Sequence, residues 1–363
     1  MRNLFPDIED SFLLIFLLFV FFIPSCKIDD NITSHSPPNL SSDILREGKF
    51  IVFSSDKDGT YDIFLAQVDS AGFLLIKNYI YPENPFNLTG NRQEGNEMQP
   101  AFSSDGRILV YSSWNGNSKE IYALFFNEHY LIDTTITLNP IRLIVSNGYW
   151  DENPCFSPDM RYIVFDRRTD TDTNGIINEF DNRDLYIANI YRSDKIIFAD
   201  SIRPLTNTPD VDESNPEWSP RVSIRKVAYN LSSNPNSFNR DIYIIDPLLP
   251  RNNLPYQDSL SAENPCWGPA CNELIFELRD TYNVFYRIVK AGYPANTGFI
   301  ELILLFGTNV QEPARKPNDN FIVYTIVNNG NNKGKIFVYS FTGNSHNLLP
   351  DIFQAYDNRF PAW

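Results

Sequence analysis

From residue 48 to residue 363 the chain runs through short apolar stretches, broken by polar turn residues, that group in fours. Each group opens on a unit built around Pro-x-aromatic. It stands at Pro100-Ala101-Phe102, Pro154-Cys155-Phe156, Pro216-Glu217-Trp218, Pro265-Cys266-Trp267, Pro313-Ala314-Arg315 and Pro361-Ala362-Trp363. The prolines recur at intervals of roughly 50 to 60 residues, in the range where a fixed period means propeller blades or solenoid turns. After most copies comes a turn (Ser103-Ser104-Asp105-Gly106, Ser157-Pro158-Asp159-Met160), then runs rich in β-branched and aromatic residues. The second runs fall at 108–111, 162–165, 226–229, 273–276 and 321–324, and the third at 120–124, 184–187, 241–245, 284–288 and 335–339. The fourth fall at 141–143, 203–206, 253–256, 300–304 and 346–349. Four short β-rich runs per period are the pattern of a four-stranded blade.

The two ends complete each other. Residues 49–53, 61–68 and 86–89 supply a second, third and fourth run with no first run before them, and the chain stops on an orphan first run, Phe360-Pro361-Ala362-Trp363. Placing that last run beside the first blade makes six blades and closes the ring, which removes the open sheet edges a line of blades would expose. The expectation is an all-β, six-bladed propeller spanning 48–363. Aromatics at 14% and 25 prolines agree, since wide sheet-on-sheet interfaces need the first and many short strands need the second.

Residues 1–26 and 27–47 stand apart. From Ser11 to Ile23 the sequence is almost wholly apolar, too short to span a bilayer comfortably and of the length of a secretory h-region. A short uncleaved anchor is the other reading. Ile23-Pro24-Ser25-Cys26 resembles the bacterial lipoprotein lipobox, in which the cysteine is lipidated and becomes the first mature residue. That resemblance implies a lipid on Cys26. Lys27 after it implies sorting to the outer membrane, on its periplasmic or its surface face. Residues 27–47 are polar, with no apolar period, and read as a flexible tether.

Pro154-Cys155-Phe156-Ser157-Pro158-Asp159 with Ile163-Val164-Phe165 and Asp184-Leu185-Tyr186 resembles the propeller repeat of the translocation protein TolB, and so does Pro216-Glu217-Trp218-Ser219-Pro220 with Asp241-Ile242-Tyr243. The likeness covers about residues 48–363 and is weakest at Arg315-Lys316-Pro317. It implies a PD40/WD40-like repeat architecture. It implies no particular chemistry, because such propellers serve many tasks. The small helical domain that precedes the propeller in TolB has no counterpart in this chain.

Charge and motifs narrow the function. A formal charge of −15 excludes a phosphate-binding surface, so nucleic acid is not an expected partner. Asp170-Thr171-Asp172-Thr173-Asn174-Gly175-Ile176-Ile177-Asn178-Glu179-Phe180-Asp181 has calcium-loop spacing. Oxygens of Asp170, Asp172, Asn174, Asn178 and Asp181 and the carbonyl of Ile176 converge, with glycine at the tight turn. A solvated hairpin tip rich in turn residues is the alternative. If metal binds, it is structural Ca2+. Acidic residues also lead into each first run: Glu97, Glu152 (beside Asp151), Glu213 (beside Asp212), Glu263, Glu312 and Asp357. In a propeller they either ring one mouth of the channel, suiting a cation or basic segment, or serve neighbouring backbone groups.

With Cys26 given to lipid, Cys155, Cys266 and Cys271 remain, and Cys266 and Cys271 pair only if their Cβ atoms face each other across the turn. His35 lies in the tether, which leaves His129 and His346, and no Gly-x-Ser-x-Gly elbow or His-Glu-x-x-His motif is present. The expectation is a monomeric, non-enzymatic, lipid-anchored envelope scaffold for a protein or glycan. The rival is a propeller enzyme of lyase or glycosidase type.

Overall fold

The computed structural model describes residues 50–68, 85–90, 95–126, 140–193, 196–208, 210–237, 239–249, 254–256, 261–279, 286–294, 299–303, 308–315, 321–328, 331–341, 345–348, 353 and 355–362. The expectations for residues 1–26 with Cys26, for the 27–47 tether with His35, and for His129 and Trp363 lie outside them. The regular elements of the described residues are all β-strands. Blade 1 is β1 (Phe50–Ser55), β2 (Asp62–Gln67) and β3 (Phe86–Asn87), with β24 (Asn358–Ala362) as its innermost strand. Blade 2 is β4 (Glu97–Phe102), β5 (Ile108–Trp114), β6 (Lys119–Phe125) and β7 (Ile141–Ile144), and blade 3 is β8 (Trp150–Phe156), β9 (Tyr162–Arg168), β10 (Arg183–Ser193) and β11 (Ile196–Pro204). Blade 4 is β12 (Asp212–Trp218), β13 (Val227–Ser232), β14 (Arg240–Ile245) and β15 (Leu254–Tyr256). Blade 5 is β16 (Ser261–Trp267), β17 (Glu273–Arg279), β18 (Tyr286–Gly292) and β19 (Phe299–Ile303), and blade 6 is β20 (Thr308–Arg315), β21 (Phe321–Asn328), β22 (Gly334–Ser340) and β23 (Ser345–Asn347). Each is an antiparallel meander, and one parallel pairing, Lys119 with Trp150, joins blades 2 and 3.

The last strand pairs with the first blade as the sequence implied: Val52 faces Ala362, Ser54 faces Arg359 and Ser55 faces Asn358. The cores establish the ring independently. A line of six blades has five buried interfaces, and this molecule has six. The additional one packs Ile51, Phe53, Phe64 and Ala66 of blade 1 against Val323, Ile336 and Val338 of blade 6. The other clusters fill the seams between successive blades in order around the ring. Second and third strands are buried on both faces, which explains their continuous rather than alternating apolar runs.

Blade 3 departs from the expected dimensions. Its outer hairpin is longer than the predicted 184–187 and 203–206 runs, and carries Tyr191 stacked on Phe198 at 5.1 Å. Sequence periodicity missed the extension because residues 188–202 alternate too weakly, mixing Asn, Arg, Ser and Asp among the apolar positions.

Candidate functional site: the central channel

The Pro-x-aromatic unit has one physical cause, repeated around the ring. The residue before each proline has a left-handed backbone: Gln99 (φ 56°), Asn153 (50°), Asn215 (51°), Asn264 (51°), Glu312 (55°) and Phe360 (50°). At the same place the first strand slips register against the second, a β-bulge, between Met98 and Ala101, Glu152 and Cys155, Ser214 and Glu217, Glu263 and Cys266, and Gln311 and Ala314. Asparagine tolerates that φ better than most residues, which accounts for its use in three blades. Proline follows because the bulge leaves no ladder partner for an N–H there.

The bulge frees one backbone N–H per blade, and a side chain from the preceding blade accepts it. Gln99 Oε1 accepts from the Asn153 N–H (3.2 Å), and Asp166 Oδ2 accepts from the Asn215 N–H (3.0 Å). Asn230 Oδ1 accepts from Asn264 (3.0 Å), Glu277 Oε1 from Glu312 (2.5 Å) and Glu312 Oε2 from Phe360 (2.8 Å). A polar belt therefore runs through five of the six seams. It includes charges in unusual states: burial, with Glu263 and Glu312 nearby, pushes the Glu277 carboxyl up to about 8. Burial likewise raises Asp166 and Glu312.

These strands enclose a central channel of about 560 Å³. Its wall carries the left-handed residues and then the middle position of each unit: Ala101, Cys155, Glu217, Cys266, Ala314 and Ala362. Beyond these lie Phe102, Phe156, Trp218, Trp267 and, where the repeat is weakest, Arg315. Arg315 is not idle in the aromatic position; it pairs with Glu273 and lies over the Phe341 ring at 4.9 Å. Glu217 is the one acid at the middle position. Desolvation pushes its carboxyl up to about 7, and the Cys155 thiol donates to it at 3.5 Å.

Of the six carboxylates expected to ring a mouth, Glu312 alone lines this channel among the described residues. The others stand at different offsets from the left-handed residue and turn into the seams. Glu97 is buried and accepts from the Ser113 hydroxyl (3.0 Å). Glu152 is buried against Lys119 (2.6 Å); burial pushes it up, but the charges of Lys119, Arg183 and Arg168 hold it below the usual range. Glu213 is fully buried, and desolvation pushes it up to about 7. Glu263 meets Arg240 at 3.4 Å and the Tyr286 hydroxyl at 3.3 Å. Asp357 takes the Tyr61 hydroxyl, the Gly334 N–H (2.5 Å) and Arg359 (2.7 Å), binding β24 to blades 1 and 6. Service of a neighbouring backbone group, the other sequence reading, is seen at Asp357, while Glu152 and Glu263 are held by cations and Glu97 by a hydroxyl.

In the β9–β10 loop, carboxylate oxygens of Asp170, Asp172 and Asp181 lie within 4.8 Å of one another. Asp170 accepts from the Asn174 N–H (3.0 Å) and Gly175 N–H (2.7 Å), and Asn174 Oδ1 from the Ile176 N–H (2.8 Å). Asn178 Oδ1 accepts from the Phe180 N–H at 2.9 Å. Asp181 is buried. Its burial cost is outweighed by the N–H groups of Asn178 and Thr171, which hold its carboxyl below the usual range. Cys155, Cys266 and Cys271 are free thiols, so the 266–271 pairing is not made. His346 is placed by its backbone, opposite Val338.

No protein-family model matches the chain, and no curated protein matches it in sequence. Solved structures do. TolB from Acinetobacter baumannii is similar at 17% identity with a TM-score of 0.59, over 88% of this chain and 67% of that one. The fold is a TolB-like β-propeller. The same architecture relates it to an oligogalacturonate lyase in complex with manganese (12% identity, TM-score 0.53, 83% of this chain and 74% of that one). It relates it also to a chain of a nidogen/laminin complex (11%, TM-score 0.56, 86% and 97%). A lyase and a chain of a protein complex share this TolB-like frame, so chemistry must be read from this chain's own channel. The Glu217 and Asn153/Asn215/Asn264 positions were missed by the sequence reading, although the polar residue before five of the six prolines was visible there.

Proposed function

We propose that the chain is a non-enzymatic, lipid-anchored envelope scaffold that holds a protein or glycan ligand at the channel of its propeller. The observation that carries this is the channel itself: about 560 Å³, walled by amides, aromatic rings and two acids, with each wall strand locked by the inter-blade belt. Preformed concave sites of this mixed lining suit ligand capture at little ordering cost. Attachment through Cys26 follows from the lipobox resemblance, and the outer membrane from Lys27 after it. The test is retention of envelope components by the purified chain against Ala101→Trp and Ala314→Trp variants, which fill the channel from two blades. A ligand retained by the parent chain and lost by both variants supports the assignment; equal retention by all three removes it.

A propeller enzyme of lyase or glycosidase type is the second reading, and Glu217 favours it. A carboxyl raised to about 7 inside a cleft is suited to general acid-base work at neutral pH. Polysaccharide turnover abolished by Glu217→Gln would establish this second reading in place of the first. At the rim of blade 3, the gathered Asp170, Asp172 and Asp181 carboxylates favour a structural Ca2+ that clips the β9–β10 loop.

A further inference from the structure

We propose that one end of blades 3 and 4, the end onto which the channel opens, docks on an anionic phospholipid surface. The β4–β5, β8–β9, β12–β13 and β16–β17 turns lie at that end, since Ser104, Pro158, Pro220 and Pro269 line the channel there. The long hairpin of blade 3 runs past them. Asn189 pairs with Tyr162, the first residue of β9, and the Ile190 N–H donates to the Arg161 carbonyl (2.8 Å), so residues beyond 190 extend past the β8–β9 turn. Arg192 fixes the hairpin to Asp105 of blade 2 at 2.7 Å. It presents Tyr191, Ile196 and Phe198 to solvent. In blade 4, β14 ends on Ile245 opposite Val227, the first residue of β13, so the turn after it lies at the same end. Leu248 and Leu249 of that turn are exposed, as is Val222 between β12 and β13. Val222 and Leu248 share a small cleft with Pro158 and Tyr162, which joins the apolar sets of the two blades. Exposed apolar side chains gathered in this way mark a contact surface.

Two observations name the occupant. The first is charge. In a chain of formal charge −15, Arg161, Arg221 and Arg225 are exposed at this end and pair with no carboxylate among the described residues. The acids beside them are engaged: Asp105 with Arg192, Asp246 with Lys226 (3.6 Å), and Asp159 with the Ser157 hydroxyl (2.6 Å). Free guanidinium groups among aromatic and aliphatic side chains suit a lipid interface, where each cation is drawn to anionic headgroups. At the opposite end the exposed Ile176 and Phe180 share a loop with Asp170, Asp172 and Glu179, which such a surface repels. The second observation is where the chain enters the ring. Phe50 begins β1 opposite Gln67, beside the Ala362 end of β24, so the backbone enters from the same end as the hairpin and the turns. A polar tether of about 24 residues between Cys26 and Phe50 averages roughly 25–30 Å end to end, which keeps this end close to its anchor. This step rests on the lipid-anchored reading above; an uncleaved apolar segment at residues 11–23 would bring the same end to the same surface.

The experiment uses an added tryptophan as a depth probe. The full chain carrying Phe198→Trp, or Phe180→Trp at the opposite end, is reconstituted sparsely into phosphatidylethanolamine vesicles with or without phosphatidylglycerol. Brominated acyl chains serve as quencher, and the parent chain's emission is subtracted. With phosphatidylglycerol, the added emission of Phe198→Trp should shift to the blue and lose about half its intensity, since interfacial side chains sit about 5–10 Å into the headgroup–acyl boundary. Phe180→Trp should be unquenched. Arg161→Gln with Arg225→Gln should weaken docking about 25-fold, at roughly fivefold per cation, and bring Phe198→Trp toward the unquenched level. Equal quenching at 198 and 180, or quenching indifferent to phosphatidylglycerol and to both arginines, would overturn the proposal. A blue shift that grows with protein concentration and shows no bromine quenching would give the patch to a second copy of the chain instead. One that requires an added envelope protein would give it to a protein partner. The mass of the mature N-terminus reports lipidation separately, so loss of the anchor reading and loss of the docking surface are told apart.

Discussion

Phe353 tests ring closure more sharply than any strand residue. It lies between blade 6 and β24, 2% exposed, and meets Phe53 at 5.8 Å and Phe64 at 5.3 Å, both edge-on. Lys57 lies over its ring at 5.4 Å. Blade 1 supplies Phe53, Phe64 and Lys57, so the ring of Phe353 exists as a buried group only while the first and sixth blades stay docked. Phe353→Ala removes a fully packed phenyl and leaves a cavity, at about 3–5 kcal/mol. Unfolding entropy of about 2.1 cal/mol/K per residue over the roughly 240 described residues gives about 0.5 kcal/mol/K, so the melting temperature should fall by about 6–10 °C. Thermal unfolding followed by circular dichroism measures it, with Phe180→Ala, at a site 67% exposed, as the near-neutral control. Hydrogen exchange should rise in β1, β2, β21 and β22 while β12 to β14 keep their protection. A shift under about 1 °C, or exchange that rises equally in every blade, would refute a closed ring and with it the channel.

The remaining expectations concern charge and metal. Arg183→Met strands the buried Asp212 carboxylate, which now takes both guanidinium bonds (2.9 and 2.5 Å), and should cost about 3–5 kcal/mol in urea unfolding. Arg183→Met with Asp212→Leu should recover most of it, and failure to recover would assign the loss to packing alone. Glu213, Glu217 and Glu277 have folded-state values raised to about 7, 7 and 8, so their unfolded forms release protons first as pH rises. Their proton linkage lowers stability from about pH 4.5 to about pH 7–8 and is constant above. Glu213→Gln should therefore flatten this decline and gain up to about 3 kcal/mol at pH 8; a pH profile superimposable on the parent's would sink it. Chelation with EDTA should lower the melting temperature of the parent chain and leave Asp170→Ala unmoved, whereas identical responses in both would remove calcium from the β9–β10 loop.

The architecture was legible because its determinants are local and repeated. Proline, the residue before it and the aromatic two places on mark each bulge directly in sequence, and six copies make a period no single motif could carry. The orphan run Phe360-Pro361-Ala362-Trp363 placed closure correctly, since β24 does pair with β1. The site was less legible for a geometric reason. Acids at 97, 152, 213, 263, 312 and 357 look equivalent as a list, yet they stand between zero and three residues from the left-handed position. In a strand one step reverses the face, and a bulge shifts the count again. Hence Glu312 reaches the channel while Glu213 is sealed in a seam. Glu217 was passed over because its place in Pro216-Glu217-Trp218 reads as one more copy of the unit. Its significance appears only when the same position in the neighbouring blades is seen to hold Cys155 and Cys266.

Scaffold and site are separable within a single five-residue unit. The left-handed residue and its proline set the bulge, and the belt through Asp166, Asn230 and Glu277 holds each bulge to the next blade. Changing either breaks a seam. The middle residue does not make the turn and lines the channel; in three blades alanine suffices there, and in blade 3 Cys155 Sγ also accepts the Trp218 N–H of blade 4 at 3.3 Å. A larger or charged group at that position costs desolvation, as the raised carboxyl of Glu217 and thiols of Cys155 and Cys266 show, and in blade 3 Cys155 offsets part of it by bonding the Trp218 N–H and Glu217 of blade 4. Three such groups stand on adjacent blades, opposite three alanines. What the channel recognises is accordingly to be sought at positions 155, 217 and 266 first.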